Sequence, residues 1–218
     1  MTTDLRFLRQ LDAVNMTKLA NLQVTLIGAG SIGSTTALWL SKMGVQHLRI
    51  FDADTVEQHN WSNQMFPVTD IGKPKAGALC DVLEQFGTTR PTAYIESYVD
   101  QPVTEVVISG VDSMESRKAI WKSVRSNADV RLYLDARMGL ETLVVYAVHP
   151  KVREERQAYV KSLYNDESAT QEPCTARTIC YTPLMASSIL CSMVKRYVNG
   201  EAQSKQVILD LVTWTMIG

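Results

Sequence analysis

No run in this sequence approaches the roughly 18 to 20 consecutive apolar residues that a membrane-crossing helix needs, and the opening MTTDLRFLRQ lacks the apolar segment of a signal peptide. Neither sign of charge is in excess. Basic and acidic side chains number 22 and 23, a net charge of −1, and no block of like charge suggests a nucleic-acid tail or an anionic-membrane patch. The four cysteines, Cys80, Cys174, Cys180 and Cys191, form no C-x-x-C pair, so no zinc is expected. His47, His59 and His149 have no metal-ligand spacing and read as structural. Internal repeats and low-complexity segments are missing as well. These absences point to a cytoplasmic location with free thiols, without membrane or nucleic-acid partners.

What is present is a chain of 218 residues, 45% hydrophobic, enough for one good core. We expect a single domain over 1–218 with a short N-terminal helical segment (1–21), where Leu5, Leu8, Leu11 and Val14 fall at helical spacing. QVTLIGA (23–29) reads as a buried parallel strand, 31–43 as a helix and LRIFDAD (48–54) as a second strand. A polar loop is expected over 55–74. Helices follow at 75–86 and 114–127, strands at 92–97 and 105–110, and strands RLYLDAR (131–137) and TLVVYAVH (142–149). Too few residues join the last two for a crossover, so they should be antiparallel. A polar interruption spans about 150–181, then a helix at 183–198 and a final strand at 206–212. The alternation predicts an α/β fold with a mixed, mostly parallel sheet flanked by helices.

Gly28-Ala29-Gly30-Ser31-Ile32-Gly33 is a GxGxxG turn between a strand and a helix. Gly28 permits the tight turn, Gly30 lets a phosphate approach the backbone, and Gly33 lets the helix pack on the strand. Asp52, at the end of the next strand, is placed to accept hydrogen bonds from ribose hydroxyls. On these residues alone, a nicotinamide-linked dehydrogenase and a nucleotide-activating enzyme are nearly tied.

Further motifs break the tie. Asp52-Ala53-Asp54 is followed by Asn60-Trp61-Ser62-Asn63-Gln64 and Gly72-Lys73-Pro74-Lys75; Arg9-Gln10 precedes the first strand, and Asp112-Ser113 with Arg117 comes later. In order and spacing these resemble the ThiF/MoeB/HesA family of ubiquitin-activating-enzyme-like adenylyltransferases, with its R-Q pair, its N-x-x-R-Q and G-x-P-K segments and its D-N-x-x-x-R segment. The resemblance implies a Rossmann-like ThiF/MoeB fold, ATP with Mg²⁺, and adenylation of the C-terminal carboxylate of a ubiquitin-like or sulfur-carrier protein, or a peptide. It implies a nucleotide site made of Gly28, Gly30, Ser31, Gly33, Asp52, Asp54, Asn60, Asn63, Gln64, Lys75, Asp112 and Ser113. Lys75 would neutralise phosphate charge, and Asp112 would hold Mg²⁺. Arg9 would come from the partner subunit of a homodimer. Plainer readings stand beside these: Asp112 as a helix N-cap, Asp54 as a turn cap, Arg9 as a surface residue.

Two departures stand out. Asn63 replaces the family's usual arginine and brings a hydrogen-bonding amide but no charge, so Lys73 or an arginine elsewhere would have to compensate. Ser31 replaces a glycine. Cys174, in Glu172-Pro173-Cys174-Thr175, resembles the thioester cysteine of ubiquitin-activating enzymes, with Arg177 placed to lower its pKa; the alternative is an ordinary loop thiol. Cys180 is a weaker candidate or a resolving thiol, whereas Cys80 and Cys191 read as core cysteines. Trp61 either stacks on a base or anchors its loop. The chain has no room for added domains and is expected to be a near-minimal catalytic core. The competing functions are a nucleotide-binding partner that no longer turns over, supported by Asn63, and an NAD-linked oxidoreductase, for which no acid/base residue stands out.

Overall fold

The computed structural model describes residues 4–164 and 178–218. Its centre is an eight-stranded sheet in the order β3-β2-β1-β4-β5-β6-β7-β8. The strands are β1 (Gln23–Ile27), β2 (His47–Phe51), β3 (Arg90–Tyr94), β4 (Glu105–Ser109), β5 (Val130–Gly139), β6 (Thr142–Val148), β7 (Gln206–Asp210) and β8 (Thr215–Ile217). The first five are mutually parallel, and β5 through β8 run antiparallel. The helices are α1 (Met16–Asn21), α2 (Ser31–Met43), α3 (Lys75–Phe86), α4 (Met114–Ser126), α5 (Arg153–Lys161) and α6 (Tyr181–Asn199). This is the mixed, mostly parallel α/β architecture expected.

Period-2 alternation divides the core between two sheet faces. Val24, Leu26, Leu48, Ile50, Leu132 and Leu134 pack into the cluster shared with α2, α3 and α6. Ile27, Phe51, Val107 and Tyr133 point to the opposite cluster, closed by Ile120, Trp121 and Val124 of α4 and Tyr159 of α5. Because both faces are covered, these strands read as nearly continuous apolar runs. The α2 and α6 helices approach closely through small polar residues; Thr36 and Ser187 hydroxyls are 2.9 Å apart.

Several expectations need correction. The N-terminal segment is helical as expected, a 3-10 helix over Leu5–Gln10 and then the short α1, but Leu5, Leu8 and Leu11 are exposed rather than buried. Strands predicted to reach 29 and 54 stop at Ile27 and Phe51, since the glycine turn and Asp52 begin there. The loop 55–74 carries 3-10 turns at Gln58–Asn63 and Val68–Asp70. The polar interruption contains α5, whose one buried residue is Tyr159, so no apolar stripe announced it. The strand at 206–212 is not the last: the fully exposed β8 follows it.

Strand order reverses between β1 and β4, whose connections leave on opposite sides of the sheet. In open α/β sheets that reversal opens a crevice at the carboxyl ends of the strands. The candidate site lies there.

Candidate functional site

At the end of β1 the chain turns through Gly28, whose φ is +93°, and enters α2 at Ser31. A side chain at Gly28 would be strained, and its Cβ would lie 2.9 Å from the Gly110 carbonyl oxygen. A Cβ at Gly33 would lie 1.9 Å from the Gly28 oxygen, so glycine is what lets α2 sit against β1. A Cβ at Gly30 would meet nothing within 4 Å. It would project toward a cleft of about 760 Å³ lined by Gly28, Gly30 and Ser31. The N-terminus of α2, with its unpaired amides and partial positive charge, is therefore open to an anion.

Asp52 joins this turn to β2. Its Oδ2 accepts the Ala29 amide at 2.6 Å and its Oδ1 the Asp54 amide at 2.8 Å. Burial pushes its carboxyl above the usual carboxylate range, opposed by those two amides and by the charge of Lys75. Lys75, at the start of α3, is buried, and its Nζ donates to Asp54 Oδ2 at 2.9 Å. The Lys75 amide also donates to the Asp54 carbonyl at 2.8 Å. Asp54 is therefore a partner of Lys75 rather than a turn cap. Between them the loop is held by buried Val56 and Phe66 and by a hydrogen bond from the Met65 amide to Ser34 Oγ at 3.1 Å. It presents Asn60, Asn63 and Gln64 to the cleft. Asn63 Oδ1 and Gln64 Oε1 are buried and unpaired, a costly state unless a ligand supplies a partner.

The third wall is the end of β4. Ser113, not Asp112, caps α4: its Oγ accepts the Ser116 amide at 3.1 Å. Asp112 is thereby free of capping, exposed, and on the cleft wall. Among the described residues no three His, Cys, Asp or Glu side chains gather as a metal cage. The exposed Asp112 carboxylate on this wall is nonetheless a hard oxygen donor of the kind that suits Mg²⁺, which keeps waters and takes further oxygens from substrate phosphates. The cleft wall, with an exposed carboxylate and a buried ammonium, is thus compatible with a magnesium–triphosphate ligand.

Comparison with protein families matches residues 2–216 to the ThiF family. The chain belongs to the ThiF family. This ThiF chain is similar to ubiquitin-like modifier-activating enzyme 5 of Arabidopsis thaliana, 24% identical over 80% of the chain and 41% of that protein. It is also similar to a probable molybdopterin-synthase adenylyltransferase of Gracilaria tenuistipitata var. liui, 28% identical over 53% of the chain and 35% of that protein. It therefore spans well under half the length of these relatives. Among solved structures, E. coli MccB with ATP superposes with a TM-score of 0.76 at 16% identity, covering 99% of this chain and 70% of that one. That likeness shows a shared fold.

Other expected site residues of the ThiF chain lie elsewhere. Ser113 uses its hydroxyl on α4 and does not line the cleft. Arg9 is exposed on the N-terminal 3-10 helix, whose Phe7 abuts Gly44 and whose Gln10 donates to the Met43 carbonyl at 2.5 Å. That is the far end of α2, about 20 Å from the glycine turn at 1.5 Å per residue. Lys73 is held by Asp70 at 2.7 Å and is not part of the cleft, so it does not replace the charge absent at Asn63. Trp61 faces a separate apolar groove with Leu38, Phe66 and Phe86, which favours the loop-anchoring reading. His59 lies on the cleft wall, 3.3 Å from Glu57. Cys174 and Arg177 fall outside the described residues. Burial pushes Cys191 up to about 12 and Cys80 up to about 11, leaving both as neutral, poorly nucleophilic thiols; Cys180 is exposed.

Sequence reasoning missed two groups. Glu96, Ser97 and Tyr98, after β3, line the cleft. Asp135 is fully buried beneath the β4 wall, paired with Arg117 and Arg137. The available signal was parity: Tyr133, Asp135 and Arg137 share one face of a strand whose other face, Leu132, Leu134 and Ala136, is apolar.

Proposed function

We propose that the cleft binds ATP with Mg²⁺ and adenylates the C-terminal carboxylate of a ubiquitin-like or sulfur-carrier protein or peptide, with 1–218 serving as one adenylation domain. The observation that carries this reading is convergence. The glycine turn, buried Lys75, exposed Asp112 and two unpaired amides come from three separate chain segments and meet in one cleft. Family membership supports adenylation over the nicotinamide-linked alternative. So do the relatives, named as an activating enzyme and a probable adenylyltransferase, and a fold neighbour solved with AMPCPP and MccA.

The difficulty of the reaction is electrostatic. A carboxylate oxygen must reach the α-phosphorus of a polyanion, forming an O–P bond while the bond to the β-phosphate oxygen breaks and pyrophosphate departs. Two unit charges about 4 Å apart interact by about 4 kcal/mol at an effective dielectric near 20, so one well-placed cation matters. Lys75 can supply it. Its partner Asp54 has a side chain 71% exposed, so that carboxylate can swing into solvent when a phosphate takes its place beside the buried ammonium. Magnesium, once bound, would neutralise phosphate oxygens as a Lewis acid. Asp52 accepts from the Ala29 amide and so keeps the turn aligned, while the α2 N-terminus faces the anion. Asn63 and Gln64 would complete their hydrogen bonds on the ligand.

Further parts of the reading are Cys174 as an acyl acceptor and Arg9 as a contribution from a second copy. In the first, the thiolate would attack the acyl carbon, forming a C–S bond as AMP leaves. Asn63 favours a second reading, in which the chain holds nucleotide without turnover.

ATP–pyrophosphate exchange, dependent on Mg²⁺ and a carrier ending in a free carboxylate, tests the proposal. Lys75→Ala and Asp112→Ala should each reduce exchange by about 100-fold or more, the scale of losing an electrostatic stabiliser. Full activity in both variants would overturn the site assignment. Cys174→Ala should spare exchange and abolish any reductant-sensitive carrier conjugate. Tight ATP binding without exchange for any carrier would select the second reading.

A further inference from the structure

Beneath the β4 wall lies a buried cluster that the nucleotide roles leave unused. Asp135 is fully buried; its Oδ1 accepts Arg117 Nε at 3.1 Å, and its Oδ2 accepts Arg137 Nε at 2.8 Å and the Tyr159 hydroxyl at 2.9 Å. Arg137 does not line the cleft; it donates to the Ser162 carbonyl at 2.9 Å, with its guanidinium 4.6 Å from the Tyr146 ring centre. Arg117 lines the cleft. Its Nη2 donates to the Val111 carbonyl and its Nη1 to the Asp112 carbonyl at 3.2 Å.

Those two carbonyls belong to the peptide planes on either side of the Asp112 Cα. Peptide units are rigid and planar, with two soft dihedrals between them. Fixing both planes fixes the direction of the Cα–Cβ bond they flank, and with it the base of the Asp112 side chain. A buried ion pair is weak grounds for stability on its own. A rigid planar fork that bridges an immobile carboxylate to two consecutive carbonyls does something an apolar replacement cannot.

We propose that Arg117 and Asp135 are positioning residues that aim the Asp112 carboxylate into the cleft. Arg117 holds the backbone of Asp112, and Asp135 holds Arg117. The functional consequence rests on the reading of Asp112 as the magnesium residue given above. Outer partners that orient a metal-holding group are typically worth 10- to 100-fold in metal affinity.

The test compares wild type, Arg117→Lys, Asp135→Asn, Arg137→Gln and Asp112→Asn in two measurements. One is the gain in ATP affinity on adding Mg²⁺ to metal-free protein; the other is amide hydrogen exchange over 110–113 without nucleotide. Arg117→Lys and Asp135→Asn should lose about 10-fold or more of the magnesium gain, approach Asp112→Asn, and exchange faster over 110–113, with metal-free ATP binding retained. Arg137→Gln should keep the gain, because it breaks the same cluster on the side away from Asp112. Lys keeps a charge for Asp135, and Asn keeps its shape, so either folded variant decides the matter. A full gain in that variant, or an equal loss in Arg137→Gln, would refute the proposal. A wild type without any magnesium gain would instead defeat the metal reading of Asp112, and the clamp would then stand or fall on whether exchange over 110–113 rises.

Discussion

Lys75 and Asn63 face the same cleft with opposite deficits. Lys75 carries a buried charge on an exposed partner, an arrangement ready to exchange Asp54 for an anion. Asn63 has a buried amide oxygen without a partner and no charge to offer. Among the described residues, the lysine and arginine side chains on the cleft wall are Lys75 and Arg117, and Arg117 is committed to Asp135 and three carbonyls. No other described side chain on the cleft wall replaces the cation that the family motif places at position 63. An arginine there could form a charge-assisted hydrogen bond to phosphate, a contact worth about 1.5 to 3 kcal/mol. Asn63→Arg is therefore expected to tighten Mg·ATP binding by about 10-fold or more, measured by calorimetry. An unchanged affinity would mean the charge already arrives from elsewhere.

At the scale of elements, the strand–turn–helix unit assigns different work to two neighbouring glycines. Gly33 is pinned by backbone, since its Cβ would sit 1.9 Å from the Gly28 oxygen, and backbone cannot yield without moving α2 from β1. Gly30 has open space. Gly33→Ala should destabilise the fold by about 2 kcal/mol or more, as overpacking and strain do, lowering the melting temperature. Gly30→Ala should change stability by no more than about 0.5 kcal/mol while weakening nucleotide binding, because the new methyl occupies ligand space. Equal melting temperatures for the two variants would contradict this division. The same contrast explains what could be read from sequence. Glycine spacing between a buried strand and a helix has one common physical use, so the turn and the surrounding βαβ unit were legible. Strand ends were off by a few residues because the apolar run VTLI passes into glycines without a polar stop. The α5 helix was illegible because Tyr159 is its one buried residue and a further tie to the sheet is polar, Glu155 on His149. The Asp135 cluster was missed because a charge in a strand reads as a solvent-facing residue until pairing shows both faces covered.

The whole molecule leaves one motif residue stranded. Arg9 lies beyond the C-terminal end of α2, about 20 Å from the glycine turn by helix rise, and its segment is tethered there by Gln10 on the Met43 carbonyl. No side chain spans that distance, so this arginine cannot serve the cleft of its own chain in this arrangement. If it acts on phosphates at all, it must reach the cleft of a second copy. A closed two-fold pair would then contain two composite sites, each built from one chain's Lys75 and Asp112 and the other chain's Arg9. Arg9→Ala and Asp112→Ala should each abolish exchange alone. Mixing the two inactive proteins in equal amounts, with subunits allowed to redistribute, should make about half the pairs mixed. Each mixed pair carries one site with all three residues intact, so exchange should return to about a quarter of the wild-type level. A site complete within one chain gives no such recovery, since no reassortment can then repair either defect. Failure of the mixture to regain activity, with mixed pairs demonstrated by mass spectrometry, would remove Arg9 from the site.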